Sequence, residues 1–367
     1  MNWKRILWIP ICLIMLGIAT ILVLQFYSRR PTPVSGDQLD RAPAKPGVFR
    51  IAFGSCNKQS MPNHMWRAIL NCKPDLWIWL GHSVDAKAED MSFLKSQYDN
   101  QKQKPEYQDL LRSCRIVGTW DDNEYGMKNG NGLFKKKAES QQLFLDFIGE
   151  PEESIRRQQN GLYTSYVYGE PGRRIKVILL DLYYNADIPG PESDLLGEEQ
   201  WRWLNNQLRD SKDDIVLLGS SLQLLPFEHP YNRWDDYPKS RKRVLQLLAE
   251  TKPKLTVILS GDRHLGEISK SNDSGLPYPF YEITSSGLTH HVDFFYHLRA
   301  FFSPERNRYR VGELFFESNF GIIDIDQSGK FPVVSMQIRD QENQVRRQVR
   351  VSGESPESAL MIASPAN

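Results

Sequence analysis

The stretch KLTVILSGDRHLGEIS, Lys254 to Ser269, sets the tightest limit on what this chain can fold into. Leu255 to Leu259 is an uninterrupted aliphatic and β-branched run, with the length and composition of a buried strand. It stops at Ser260-Gly261 and hands over to Asp262, Arg263 and His264, so polar chemistry is presented at a strand's end. If the backbone stays extended through these residues, Asp262 and His264 point to one face, and a carboxylate and an imidazole converge on one point. A metal ion is the natural occupant of such a point. An isolated D-x-H is more often a surface loop, but here the arrangement recurs.

Phe49 to Phe53 is a short apolar run ending in Gly54-Ser55-Cys56, and Leu76 to Leu80 ends in Gly81-His82-Ser83. Ile116-Val117 leads into Gly118-Thr119-Trp120-Asp121-Asp122-Asn123-Glu124; Ile175 to Leu180 ends on Asp181; Ile215 to Leu218 ends in Gly219-Ser220-Ser221. Between these strands lie helical patterns: Met65 to Leu70, the stretch after Lys137, Glu198 to Leu208 with Trp201, Leu204 and Leu208 on one face, and Lys239 to Glu250. Phe320 to Ile325 and Val333 to Ile338 read as a strand pair. The alternation predicts an α/β class, sheets flanked by helices. In open α/β sheets the functional crevice lies outside the carboxyl ends of the strands, which is where Cys56, His82, Asp121, Asp122, Asp262 and His264 fall.

The chain opens with Lys4-Arg5, an uncharged apolar run from Ile6 to Phe26, and Arg29-Arg30. That run is about the length of a bilayer-spanning helix and is not followed by a small-residue cleavage site, so residues 1–30 read as an uncleaved N-terminal transmembrane anchor. The short N-terminus puts the bulk of the chain outside the cytoplasm. Residues 31–47, rich in Pro, Ser, Asp and Ala, read as a linker; 48–340 as the folded domain; 341–367 as a disordered tail. A net charge of +1 makes no electrostatic case for a nucleic-acid partner. Four cysteines without a C-x-x-C pair give no disulfide framework, with a single Cys72–Cys114 bridge left open. His64 and His229, in Pro/Asn-rich loops, read as solvated, and His290-His291 as part of a polar loop beside the site.

Phe53-Gly54-Ser55-Cys56, Pro74 to Gly81 (PDLWIWLG), Thr119-Trp120-Asp121-Asp122 with Tyr125-Gly126, Leu196-Gly197-Glu198 with Gln200-Trp201, and Ser260-Gly261-Asp262-Arg263-His264 together resemble the PhoD-like alkaline phosphatases. The resemblance spans Phe49 to Ile338. It implies a calcineurin-like metallophosphatase core, two mixed β-sheets face to face between layers of helices, four layers in all. It further implies a metal centre that hydrolyses phosphate mono- or diesters, the metal being iron, with calcium in some members. Carried over position by position, it makes Cys56, Asp121, Asp262 and His264 metal ligands, with His82 and Asp85 in the same stretch, and Asp122, Asn123 and Arg263 catalytic groups.

The chain departs from the family pattern at informative places. Where the family reads G-D-N-I-Y-A-D, this chain reads Gly81-His82-Ser83-Val84-Asp85-Ala86-Lys87. In the W-D-D-H-D motif the His is Asn123 and the last Asp is Glu124. A carboxylate can bridge two cations, whereas an imidazole gives one nitrogen to one metal, so one metal rather than two is expected. Asp85 offers a partial replacement. Two functions stay open at this point: an extracytoplasmic metal-dependent phosphoric-ester hydrolase, tethered to a lipid bilayer, and a catalytically degenerate relative acting as a binding or structural module.

Overall fold

The computed structural model describes residues 47–86, 89–211, 215–272, 279–291 and 305–352, and the backbone alone of 355–362. In chain order the elements are β1 (Val48–Gly54), α1 (Met65–Cys72), β2 (Leu76–Leu80), α2 (Met91–Lys102), α3 (Pro105–Ser113), β3 (Arg115–Thr119), the one-turn α4 (Asp122–Tyr125), α5 (Lys137–Ile148), β4 (Thr164–Tyr168) and β5 (Ile175–Leu179). They continue with α6 (Gly197–Arg209), β6 (Ile215–Ser220), α7 (Pro238–Thr251), β7 (Leu255–Ser260), β8 (Gly266–Ser271), β9 (Phe280–Ser285), β10 (Phe320–Asp326), β11 (Val333–Arg339), β12 (Val345–Ser352) and β13 (Ser355–Ile362).

Two mixed sheets result. One is seven-stranded, in the order β13-β12-β11-β10-β1-β2-β3; the other is six-stranded, β4-β5-β6-β7-β9-β8. In the first, β1, β2 and β3 are parallel and β10 joins β1 antiparallel; in the second, β5, β6, β7 and β9 are parallel. Alternation decides which side chain goes where even in strands buried on both faces. From β1 and β2, Ile51, Phe53, Leu76, Ile78 and Leu80 pack with Val177, Leu179, Leu217, Val257 and Leu259 of the second sheet, forming the layer between the sheets. The intervening Trp77 and Trp79 turn outward and meet Trp66 of α1 edge-on, at ring-centroid distances of 5.3 and 5.6 Å. On the second sheet, Trp201, Leu204 and Leu208 of α6 and Val244 and Leu248 of α7 are buried in the helix-facing core. Each fully buried large apolar side chain contributes about 1.5–3 kcal/mol.

The two central strands of the first sheet touch where Gly321 faces Phe53. A methyl group there would overlap the Phe53 ring directly. Gly321→Ala is therefore expected to destabilise the fold by about 1–3 kcal/mol through overpacking, read as a lower urea midpoint at unchanged slope.

Two expectations are corrected. Within the stretch expected as a tail, residues 345–352 and 355–362 are strands: β12 pairs with β11 and β13 with β12, and Val349 and Val351 of β12 supply an apolar face that the sheet buries. Cys56, Cys72 and Cys114 are free thiols, the Cys72 Sγ lying 3.0 Å from Asn343 Oδ1, so the Cys72–Cys114 bridge does not form. The expected anchor, all of the linker but Gly47, and Lys87 lie outside the described residues. Among the described residues no helix is long and apolar enough to cross a membrane.

Candidate metal centre

Every expected ligand except Asp85 comes to one end of the sandwich, at the carboxyl ends of the parallel strands. Cys56 follows β1, His82 follows β2, Asp121 and Asp122 follow β3, and Asp262 and His264 follow β7. The route differs from the extended one expected at the last motif. Asp262 (φ 60°) and His264 (φ 57°) are left-handed, and so are Cys56 (φ 58°) and His82 (φ 46°). Left-handed backbone is costly for residues with a Cβ and persists where the surroundings impose it, typically at functional sites. Gly81 (φ 84°) makes the close approach possible, since a Cβ there would lie 2.5 Å from Asp121 Cβ.

Donor atoms of Cys56, His82 and His264 lie within 4.8 Å of one another, and so do those of His82, Asp121 and Asp262. His82 belongs to both groups. Its Nδ1 is 3.3 Å from Cys56 Sγ and 3.4 Å from Asp262 Oδ1, and its Nε2 is 2.8 Å from Asp122 Oδ1. Ser286, beyond β9, sits 3.2 Å from Cys56 Sγ through its Oγ, which also accepts the His264 N–H at 2.8 Å. Tyr183 donates its hydroxyl to Asp121 Oδ1. The other oxygen, Asp121 Oδ2, is buried and has no hydrogen-bond partner among the described residues. A buried carboxylate oxygen left without a partner is costly unless a cation completes it. With a thiol, two imidazoles and two carboxylates converging, the donor set fits a transition metal.

Electrostatics point the same way. Burial alone would raise the Cys56 thiol, but His264 and His82 pull it well below its usual range, toward the thiolate that binds metal. Burial, then the neighbouring Asp262, raises Asp121 well above the carboxylate range. Asp262 itself is pushed up to about 7, chiefly by burial, with the Cys56 charge adding to it against the pull of His82. Acidic groups crowded in a dry pocket are in the situation that a bound cation relieves.

The remaining sequence candidates divide. Asp122 accepts the Asn129 N–H at 3.1 Å as well as facing His82, and Asn123, half-buried, lines the same cavity. Arg263 is 5% exposed; its Nε donates to Gln223 Oε1 at 2.9 Å, its Nη2 to Glu305, and its guanidinium lies 4.4 Å over the Tyr231 ring. Asp85 is not brought to the cluster: its carboxylate pairs with Lys58 Nζ at 3.6 Å, because the loop after His82 turns it away. Asp181 spends its carboxylate on the N–H groups of Leu162, Tyr183 and Tyr184. His229 is buried rather than solvated, and burial followed by Arg263 and Arg233 holds it neutral, down to about 2. The His264 and His290 rings lie 4.0 Å apart, tilted by 39°, so the polar loop stands at the site's edge. The cavity, about 520 Å³, is lined by His82, Asp122, Asn123, Asp262, Arg263 and His264, with Lys128, Tyr231 and His291 at its walls.

Sequence reasoning passed over Glu124, noting it only as a substitution. It is fully buried and ties two ligand-bearing strand ends together. Its Oε2 accepts the N–H of His82 at 3.0 Å and of Asp121 at 3.2 Å; its Oε1 accepts the Ser83 N–H and, at 2.7 Å, the Ser83 hydroxyl. Its position three residues after Asp121, the pattern of a capping box, was the available signal. An amide cannot accept on both sides, so Glu124→Gln leaves donors facing a donor. It is expected to cost about 1–3 kcal/mol in urea unfolding and to lower metal content measured by elemental analysis.

A search of curated protein sequences finds no significant match. Among solved structures, one described as "Structure of PhoD" matches with a TM-score of 0.69 at 16% identity, over 89% of this chain and 73% of that one, a likeness of fold. The family model described as PhoD-like phosphatase matches residues 71–331. With strand ends, donor set and sheet order on one pattern, the chain belongs to the PhoD-like phosphatase family of metal-dependent phosphoesterases.

Proposed function

We propose that this protein is a membrane-tethered, extracytoplasmic phosphoesterase working with one tightly held metal ion, iron by the family resemblance, in place of a multinuclear centre. The donors that would hold the ion come from the two groups that share His82, Cys56 with His264 and Asp121 with Asp262. The observation that carries this is Asp121 Oδ2, buried without a hydrogen-bond partner among the described residues and in one donor group with His82 and Asp262. A metal ion bound there supplies Lewis-acid polarisation of a phosphoryl oxygen.

The chain's own groups do the rest. Arg263, clamped by Gln223 and Glu305, brings a planar guanidinium to the cavity wall, suited to the paired oxygens of a phosphate ester. Lys128 adds positive charge at the same wall. Asn123 can donate a hydrogen bond to an ester oxygen but cannot move a proton near neutral pH. Asp122 holds His82 against the cluster. Tyr183 keeps one oxygen of Asp121 fixed and so aims the other.

The tether rests on the uncharged run Ile6 to Phe26. Full-length protein is expected to stay in the membrane pellet after carbonate washing and to hydrolyse aryl phosphate mono- or diesters in detergent, with activity lost on chelation and regained with iron. Recovery of intact chain in the wash would sink the tether, and hydrolysis indifferent to metal removal would sink the metal reading.

A further inference from the structure

The end of the sandwich opposite the metal centre carries a cluster of cations. A small pocket there is lined by Arg173 and Arg174 ahead of β5, Lys254 ahead of β7, and Lys330 in the turn between β10 and β11. Arg173, Lys254 and Lys330 are exposed and Arg174 half-buried, and the described lining holds no carboxylate. Lys73 and Lys252, exposed at the helix ends that lead toward β2 and β7, stand at the same end. Among the described residues, two acids of the neighbouring turns are engaged locally: Asp326 Oδ1 accepts the N–H and hydroxyl of Ser328, and Glu170 opens the turn before Arg173 through its carbonyl; Asp213 and Asp214, which precede Ile215 of the lining in sequence, lie outside the described residues.

The second observation is independent of charge. Gly47, the first described residue, leaves at this same end: its carbonyl accepts the Gln327 N–H at 3.2 Å, and Gln327 also lines the basic pocket and accepts from Arg173 Nη1 at 2.8 Å. The apolar run Ile6 to Phe26 and Arg29-Arg30 precede that point in the chain. The strand β7 carries Lys254 just before its first residue and Asp262 just after its last, so the two ends are about 20 Å apart at the rise of a strand.

We infer that this basic end is a docking face for an anionic membrane surface, which turns the catalytic cavity away from the bilayer. The inference rests on the tether proposed above. Charges near an anionic leaflet are attracted over about a Debye length, so a basic face brought within that reach of the leaflet gains from them, whereas one farther away does not. Diesters arriving from the aqueous side would then meet the open cavity, and the headgroups of the anchoring leaflet would not.

The test uses full-length protein in vesicles of phosphatidylcholine alone or with phosphatidylglycerol, treated with a membrane-impermeant acetylating reagent and read by mass spectrometry. In phosphatidylglycerol vesicles at low salt, Lys254 and Lys330 are expected to react roughly fivefold more slowly than in phosphatidylcholine, the order one cation's attraction supports. Lys95 and Lys242, exposed on helices away from this end, should react alike in both. High salt and Arg173→Glu should each erase the difference while leaving hydrolysis of a soluble aryl phosphate unchanged. Equal modification in both lipids, with the protein in the vesicle pellet, overturns the docking face and leaves the tether standing. Protein in the supernatant overturns both.

Discussion

Replacing Asp262 and His264 together with alanine is expected to strip the protein of its metal and to lower phosphoesterase activity by about a thousandfold or more, some 4 kcal/mol of barrier. These two residues are the donors of one short loop, and each belongs to a different half of the cluster, His264 with Cys56 and His82, Asp262 with Asp121 and His82. Removing both therefore opens the whole centre. The fold should survive, because the loop is held by backbone contacts that the substitutions leave in place: Gly261 N–H to Ser221 O at 3.1 Å and His264 N–H to Ser286 Oγ at 2.8 Å. The check is elemental analysis beside a rate measurement on the same preparation. Unaltered protein should carry about one metal per chain. Two per chain would show that the donors around His82 support a second ion, and a retained rate in the metal-free double variant would remove the centre from catalysis.

The combined change His82→Asp, Asn123→His should move metal content and rate upward together. In the native chain both ring nitrogens of His82 are taken up within the protein, Nδ1 toward Cys56 and Asp262, Nε2 by Asp122 at 2.8 Å. An imidazole so held gives no bridge between cations, and it also ties Asp122 to itself. An aspartate at position 82 offers two oxygens, releases Asp122, and is among the residues that tolerate the left-handed backbone found there. A histidine at 123 returns a proton-transferring group to the cavity wall. A second cation in such a centre is typically worth several kcal/mol, so metal rising from about one to two per chain should accompany a rate gain of about a hundredfold. A fall in rate with unchanged metal content would show instead that His82 belongs to a rearranged, working site.

Much of the fold was legible because the parallel strands are short, apolar and punctuated. Leu76 to Leu80 needed no adjustment, and β1, β5, β6 and β7 were placed to within a residue or two. Among the elements that escaped, beside α2, α3, β8 and β9, are two whose burial comes from partners far along the chain. β4, with Thr164, Ser165 and Tyr166 only half-buried at a sheet edge, has no apolar run to find. β12 reads VRRQVRVS, a charged alternation that makes sense as a strand only once β11 lies beside it. At the site, the convergence of Cys56, His82, Asp121, Asp262 and His264 was legible from strand ends and motif order, but the left-handed turns that aim them were not, since nothing in D-R-H distinguishes them from an extended run. Asp85 was misplaced for the converse reason: nearness in sequence to His82 does not survive the turn that sends it to Lys58. Glu124 and Ser286 act by holding backbone N–H groups and the thiol, roles that leave little trace in composition.

The place of β1 in its sheet has a consequence for the chain's biogenesis. Its edge partner on one side is β2, synthesised soon after it, but on the other it is β10, with Val48 opposite Asp326 and Phe53 opposite Gly321. At ordinary ribosomal speeds the intervening chain takes on the order of tens of seconds to appear. Throughout that interval an apolar strand, VFRIAFG, shows a bare hydrogen-bonding edge, and the thiol of Cys56 at its end lacks the imidazole of His264 until late. The donor group of Cys56, His82 and His264 can close only after the chain past His264 has been made, and the β10 side of the first strand stays open until the chain past Asn319 has followed.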